Sequence, residues 1–283
     1  MDIKLLKKLR EQTSAGMLEC KSALEKFDDD YDQALSHIKS QVKEETTTNR
    51  VASKGMCKLE IKDDEAILFE VNAETDFVTK NEHFLSLVDT LASHLIDTNV
   101  VNANSALKVL IDGQSVDELI KQKSSIISEN AYLRRLYRVK KQEGQGFGSY
   151  THMQGKVVSL VVTDKKNDKI ANEIAMQITA ASAQYLSLEN IDQDTINYEK
   201  FMYEKEHNTF NEDDFNQSLK AKTLLSQSYI KDPSISVEAY LKLHDINIID
   251  FFRFELGQGI DNKLNCRLDI DCDNSKITVT PIY

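Results

Sequence analysis

Glu74, Lys80 and His83 place a carboxylate, an amine and an imidazole close together in the chain, a set that could move protons. Charged residues flanking the start of a surface helix are ordinarily solvated, however, and that reading outweighs catalysis here. Gly144-Gln145-Gly146-Phe147-Gly148 has the glycine content of a phosphate-cradling loop. Such a loop needs a helix N-terminus behind it, and here strand-like sequence follows, so the glycines are expected to form a hairpin turn. Cys20, Cys57, Cys266 and Cys272 show no CxxC pairing, and the His residues lack ligand spacing. Reduced structural thiols, no metal and no bound cofactor are expected, and with them no enzymatic activity.

Thr75-Asp76-Phe77-Val78 remains, an acid beside an aromatic at the end of a strand pattern. The near-continuous apolar run Ala66-Ile67-Leu68-Phe69-Glu70-Val71 predicts a strand covered on both faces. From Phe77 onward, Phe84, Leu85, Val88, Leu91, Ala92 and Leu95 recur at helical spacing, with Thr75 or Asp76 as the natural N-cap. A strand-turn-helix junction can hold a few side chains rigidly for function. Spacing alone favours the plainer reading, in which the caps are ordinary caps and Phe77 packs in the core.

Asp2 to about Gln41 reads as three short helices. Leu5, Leu6 and Leu9 line the first, Met17, Cys20, Leu24 and Phe27 the second, and Tyr31, Ala34, Leu35 and Ile38 the third. Met17 and Leu18 are adjacent, so both cannot face the same small core, and one is expected at the surface. Val42 to Asn49 is polar and aperiodic, a linker.

Beyond the linker, strands are predicted at Cys57 to Ile61, Ala66 to Val71, Tyr132 to Lys140, Phe147 to His152 and Lys156 to Thr163. Helices are predicted from Asp76 to about Ile96, Ser115 to Asn130, and about Asn167 to Tyr185. Hairpin-then-helix occurs twice, which suggests two related α+β subdomains. Asn190 to Lys231 is strongly polar with patches of helical spacing. A helix at Val237 to Leu243 and a strand at Ile248 to Glu255 follow, and Lys263 to Tyr283 alternates as two strands.

The segments VNAETDFVTKNEHF (from Val71), TSAGMLECKSAL (from Thr13), ENAYLRR (from Glu129), GSYTHMQGKVVSLVV (from Gly148) and YLKLHDINIIDFFRFELGQGID (from Tyr240) together resemble elongation factor Ts. That family supplies the guanine-nucleotide exchange factors of the GTPase elongation factor Tu. The resemblance implies an α+β fold: a ubiquitin-associated-like three-helix module (1–41), a linker (42–55), and two core subdomains (56–140 and 141–283). The second subdomain carries a reduced helical arm at about 190–231. It also implies that Asp76 and Phe77 enter the GTP-binding domain of elongation factor Tu, where Phe77 wedges between helices and the Mg²⁺ is lost. Thr75 and Val78 complete the presenting loop.

By the same resemblance, Lys7, Arg10, Met17 and Leu18 touch that domain, with Leu18 standing where the family often has Met. His152 matches a position leaning on another domain of the GTPase, although a satisfied polar residue at a strand end is an equal reading. The final strands depart from the family, which more often ends in a helix. A translation-associated binding module without exchange activity is the alternative.

A net charge of -11 over 283 residues argues against phosphate-driven nucleic-acid binding and for a protein partner. MDIKLLKKLREQ has no apolar h-region, and no stretch approaches the roughly 20 apolar residues of a membrane span, so a cytoplasmic protein is expected.

Overall fold

The computed structural model describes residues 3–13, 17–41, 52–207 and 209–259. Of the expected linker, residues 42–51 lie outside the described residues, as does the expected C-terminal strand pair, and Lys54 and Gly55 already belong to the first strand. The fold is α+β. It runs α1 (Ile3–Thr13), α2 (Met17–Lys26), α3 (Tyr31–Gln41), β1 (Lys54–Lys62), β2 (Glu65–Ala73), a 3-10 turn (Asp76–Lys80), α4 (Glu82–Leu95) and α5 (Ala103–Ala106). There follow β3 (Leu110–Ile111), β4 (Gln114–Ser115), α6 (Val116–Ile127), β5 (Ala131–Lys140), β6 (Gly146–His152), β7 (Val157–Thr163) and α7 (Asp168–Ala180). Last come α8 (Gln193–His207), α9 (Glu212–Lys222), β8 (Ser228–Tyr229), β9 (Asp232–Ser236), α10 (Val237–Leu243) and β10 (Ile248–Glu255). The larger sheets have the orders β1-β2-β5 and β10-β7-β6. The chain divides into two compact units, Met1–Met56 with Glu70–Leu136, and Cys57–Phe69 with Tyr137–Tyr283.

In the first unit, α1 to α3 close around Leu6, Leu9, Cys20, Ala23, Leu24, Ala34 and Ile38, with Leu5, Phe27, Tyr31 and Leu35 partly buried against them. Apart from Ala23 these are residues the helical spacing selects, and the side chain of Met17, which it also selects, lies outside the described residues. Asp28 and Asp29 take left-handed backbone between α2 and α3, and Asp30 accepts from the Gln33 amide to start α3. β2 is buried from Ala66 to Ala73, as a run apolar on both faces requires. α4 buries Phe84, Leu87, Val88, Leu91, Ala92 and Leu95.

The helix boundaries correct the sequence reading. α4 starts at Glu82 behind Asn81, whose side chain accepts from the His83 amide, and Asp76 to Lys80 is a separate 3-10 turn. α6 opens on a capping box between Ser115 and Glu118 and stops at Ile127, because Ser128 turns left-handed (φ 61°).

In the second unit, β7 pairs antiparallel with β6 and β10, for example Ser159 with Tyr150 and with Arg253. α7, capped by Asn167, packs on β6 and β7 and ends at Ala180, five residues short of the expected Tyr185. Ser182 is left-handed there (φ 50°). The glycine run is not a hairpin turn. Gly144 (φ 85°) turns the chain from β5 into β6, strands of different sheets, while Gly146 and Gly148 lie within β6. A Cβ on Gly148 would stand 2.1 Å from the Ala171 carbonyl carbon, so α7 rests directly on the strand backbone.

α8 and α9 share a small core of Ile191, Phe215 and Leu219 with Tyr185, Leu188, Ile196 and Tyr203 against it. Glu199 of α8 accepts from Tyr185 Oη and Lys222 Nζ. This pair of helices forms most of the 190–231 segment, which then continues through a 3-10 turn (Leu224–Ser226) into β8.

Candidate functional site

The turn after β2 carries the residues singled out by the sequence. Thr75 is extended (φ -125°, ψ 161°), and its side chain makes no capping bond to the 3-10 turn. Its hydroxyl donates instead to Glu129 Oε1 at 2.6 Å, and its amide donates to Glu129 Oε2 at 3.0 Å. One residue earlier, Glu74 Oε1 accepts from Asn130 Nδ2 at 2.6 Å. Thr79 Oγ1 donates to the Asp76 carbonyl at 2.8 Å and ties the turn internally.

Val78 is only 2% exposed, whereas Phe77 is 77% exposed and Asp76 is exposed beside it. The plainer reading of Phe77 as core packing therefore fails. Val78 is the apolar anchor, and the ring of Phe77 faces water. An exposed apolar ring on an anchored turn, next to a charge, has the form of a contact for another macromolecule.

Glu74, one member of the proton-moving set, is engaged by Asn130, while His83 and Lys80 are exposed. A shallow recess is lined by Phe27, Asp30, Gln33 and His37 and another by Glu199, Tyr203, Phe215 and Lys222, and neither borders the Asp76-Phe77 turn. Among the described residues no group of three or more His, Cys, Asp or Glu could hold a metal ion, and no helix is long and apolar enough to cross a membrane.

The remaining sequence-selected residues lie on other elements. Lys7 is exposed on α1. Arg10 belongs to α1, and Met17 and Leu18 open α2, with side chains outside the described residues. His152, in the second unit, is exposed at the end of β6 and stacks near Tyr150, ring centres 6.1 Å apart. Met153 and Gln154 after it are both left-handed, and Met153 is 64% exposed.

Sequence reasoning did not single out Glu129 and Asn130 as part of this site. The only signal was their place at the start of the ENAYLRR segment, because the contacts they make lie 54 and 56 residues away in the chain.

A sequence model of the family described as Elongation factor TS matches residues 74–258, which include the turn, Glu129 and Asn130. The chain is also similar to a protein named Elongation factor Ts from Acholeplasma laidlawii (strain PG-8A). The two are 37% identical over 278 residues, covering 92% of this chain and 94% of that relative.

Proposed function

This chain belongs to the elongation factor Ts family, and from that membership together with the Phe77 turn we propose that it releases GDP from elongation factor Tu during translation elongation. It makes and breaks no covalent bond, and it works in the cytoplasm on a protein partner. Nucleic acid is disfavoured as a partner by the net charge of -11.

The energetic task is set by the nucleotide. A GTPase holding GDP at about nanomolar affinity, with association on the order of 10⁶ M⁻¹s⁻¹, releases it at about 10⁻³ per second. A thousandfold acceleration means weakening GDP by about 4 kcal/mol in the ternary complex, and by reciprocity GDP weakens the exchange factor equally. Burying one Phe supplies roughly 1.5 to 3 kcal/mol, so the wedge needs further contacts.

In this reading Phe77 enters an apolar pocket between helices of the GTP-binding domain, and Asp76 accompanies it. The shift displaces groups that hold the partner's Mg²⁺, so the GDP phosphates lose charge compensation. Thr75 and Val78 fix the turn. Lys7, Arg10, Met17 and Leu18 add contacts from the helical module, and His152 adds one from the β6 end. The observation that carries the reading is the exposed ring of Phe77 on a turn anchored by buried Val78 and by Glu129.

The test is the rate at which a fluorescent GDP analogue leaves elongation factor Tu, with Mg²⁺ present, on adding this protein or its Phe77→Ala variant. Strong acceleration by the wild type that is largely lost in the variant is expected. Tight binding without acceleration overturns exchange and leaves a binding module.

A further inference from the structure

A single 3-10 turn is a poor platform. Its hydrogen bonds are weakly aligned, and this one lacks a capping bond from its N-terminal Thr75. Something outside the turn must hold it if Phe77 is to meet a pocket in one orientation.

Glu129 has the chemistry for this. Thr75 offers two donors, an amide N–H and a hydroxyl, and an ionised carboxylate is the side chain that offers two acceptors and no donor. Each Glu129 oxygen takes one of them, at 3.0 and 2.6 Å. Glu129 is itself fixed: it follows left-handed Ser128 at the end of α6, and its amide donates to the Ser124 carbonyl. Ser124 Oγ in turn accepts from the Ala131 amide, tying the start of β5 to the same helix. Asn130 grips the adjacent Glu74, so two consecutive residues of one loop hold two consecutive residues of the other.

We propose that Glu129 is a positioning residue for nucleotide exchange: by accepting both Thr75 donors it holds the Asp76–Lys80 turn so that Phe77 is presented ready to insert. The proposal rests on the exchange reading above. Without the clamp, the turn must be ordered at the moment of insertion, and the lost freedom of about one backbone residue translates into about a tenfold loss of rate.

The experiment uses the full chain with elongation factor Tu and a fluorescent GDP analogue. It compares wild type, Glu129→Gln, Phe77→Ala and the double variant, with each melting temperature recorded. Glu129→Gln is isosteric, but it turns an NH₂ donor toward one of the Thr75 donors. We expect its maximal release rate at saturating protein to fall about tenfold, with a smaller change in the concentration giving half-maximal effect. In the Phe77→Ala background it adds no further loss. Glu129→Asp, which keeps both acceptors one methylene further back, recovers part of the rate. A wild type that accelerates release while Glu129→Gln matches it overturns the positioning role alone. So does a Glu129→Gln loss that persists undiminished with Phe77→Ala, which marks a general structural role. A wild type that does not accelerate release overturns the exchange reading, and this proposal with it.

Discussion

Glu70 Oε2 accepts from Arg135 Nε at 2.6 Å, with the carboxylate wholly withdrawn from solvent. Arg134 Nη1 approaches the same oxygen at 3.1 Å. A buried charge survives only through such partners.

Removing one partner should therefore be costly. Arg135→Ala is expected to lower the unfolding free energy by about 3 kcal/mol, because it leaves a buried carboxylate undercompensated. Urea denaturation of the full chain measures it. A loss below about 0.5 kcal/mol would mean that the contacts left to Glu70, Arg134 among them, compensate the charge.

Adjacent residues of the Phe77 turn should separate function from stability. Phe77→Ala removes a ring that is already in water, and its unfolding free energy should stay within about 0.5 kcal/mol of wild type. Val78→Ala removes buried methyl groups and should cost about 2 kcal/mol. Thermal melts of the two variants, read beside the GDP-release rate, show whether the division holds.

Acid should loosen the second unit through Glu173. Burial by itself pushes its carboxyl up, but hydrogen bonds from Tyr240 (2.5 Å), Lys231 (2.9 Å) and Tyr229 (3.0 Å) outweigh burial and hold it down to about 2, from 4.5. The folded state thus binds this proton more weakly than the unfolded state does. Its stabilisation is fully present above 4.5 and is lost as the pH falls from there toward 2. Glu173→Gln should cost about 2 kcal/mol at neutral pH and flatten the dependence in that window. Denaturation midpoints taken across the window test the sign.

Gly148→Ala should be among the most damaging small substitutions. The added methyl would meet the Ala171 carbonyl carbon at 2.1 Å and its oxygen at 2.2 Å, both rigid backbone atoms of α7. Lifting the helix from β6 is expected to cost about 3 kcal/mol. An unchanged melting temperature would show that α7 shifts freely.

What the sequence disclosed followed the length and regularity of each element. β2 and α4 were legible because their apolar patterns run for many residues, and the helical module was legible because Leu6, Leu9, Leu24, Ala34 and Ile38 fall on inward faces. The start of α4 was misplaced because Thr75 and Asp76 are capping residue types. The Thr75 hydroxyl is drawn instead to Glu129, and Asn81 takes the cap. α5, β3, β4, β8 and β9 span five residues at most, too few to show a period. Of the site, local spacing argued for burial of Phe77 and only the family resemblance argued for exposure. The clamp from Glu129 and Asn130 was invisible, because nothing local in a sequence reports a partner 54 residues away.

Phe77 stands in water within a chain that has ten tyrosines and no tryptophan. An indole at that position, in Phe77→Trp, would be this chain's only one. Its emission would begin at the red-shifted wavelength of a wet ring and move to the blue as the ring leaves water. The exposure that leaves the ring idle in the free chain thus makes residue 77 a natural optical gauge of how dry the partner's pocket is.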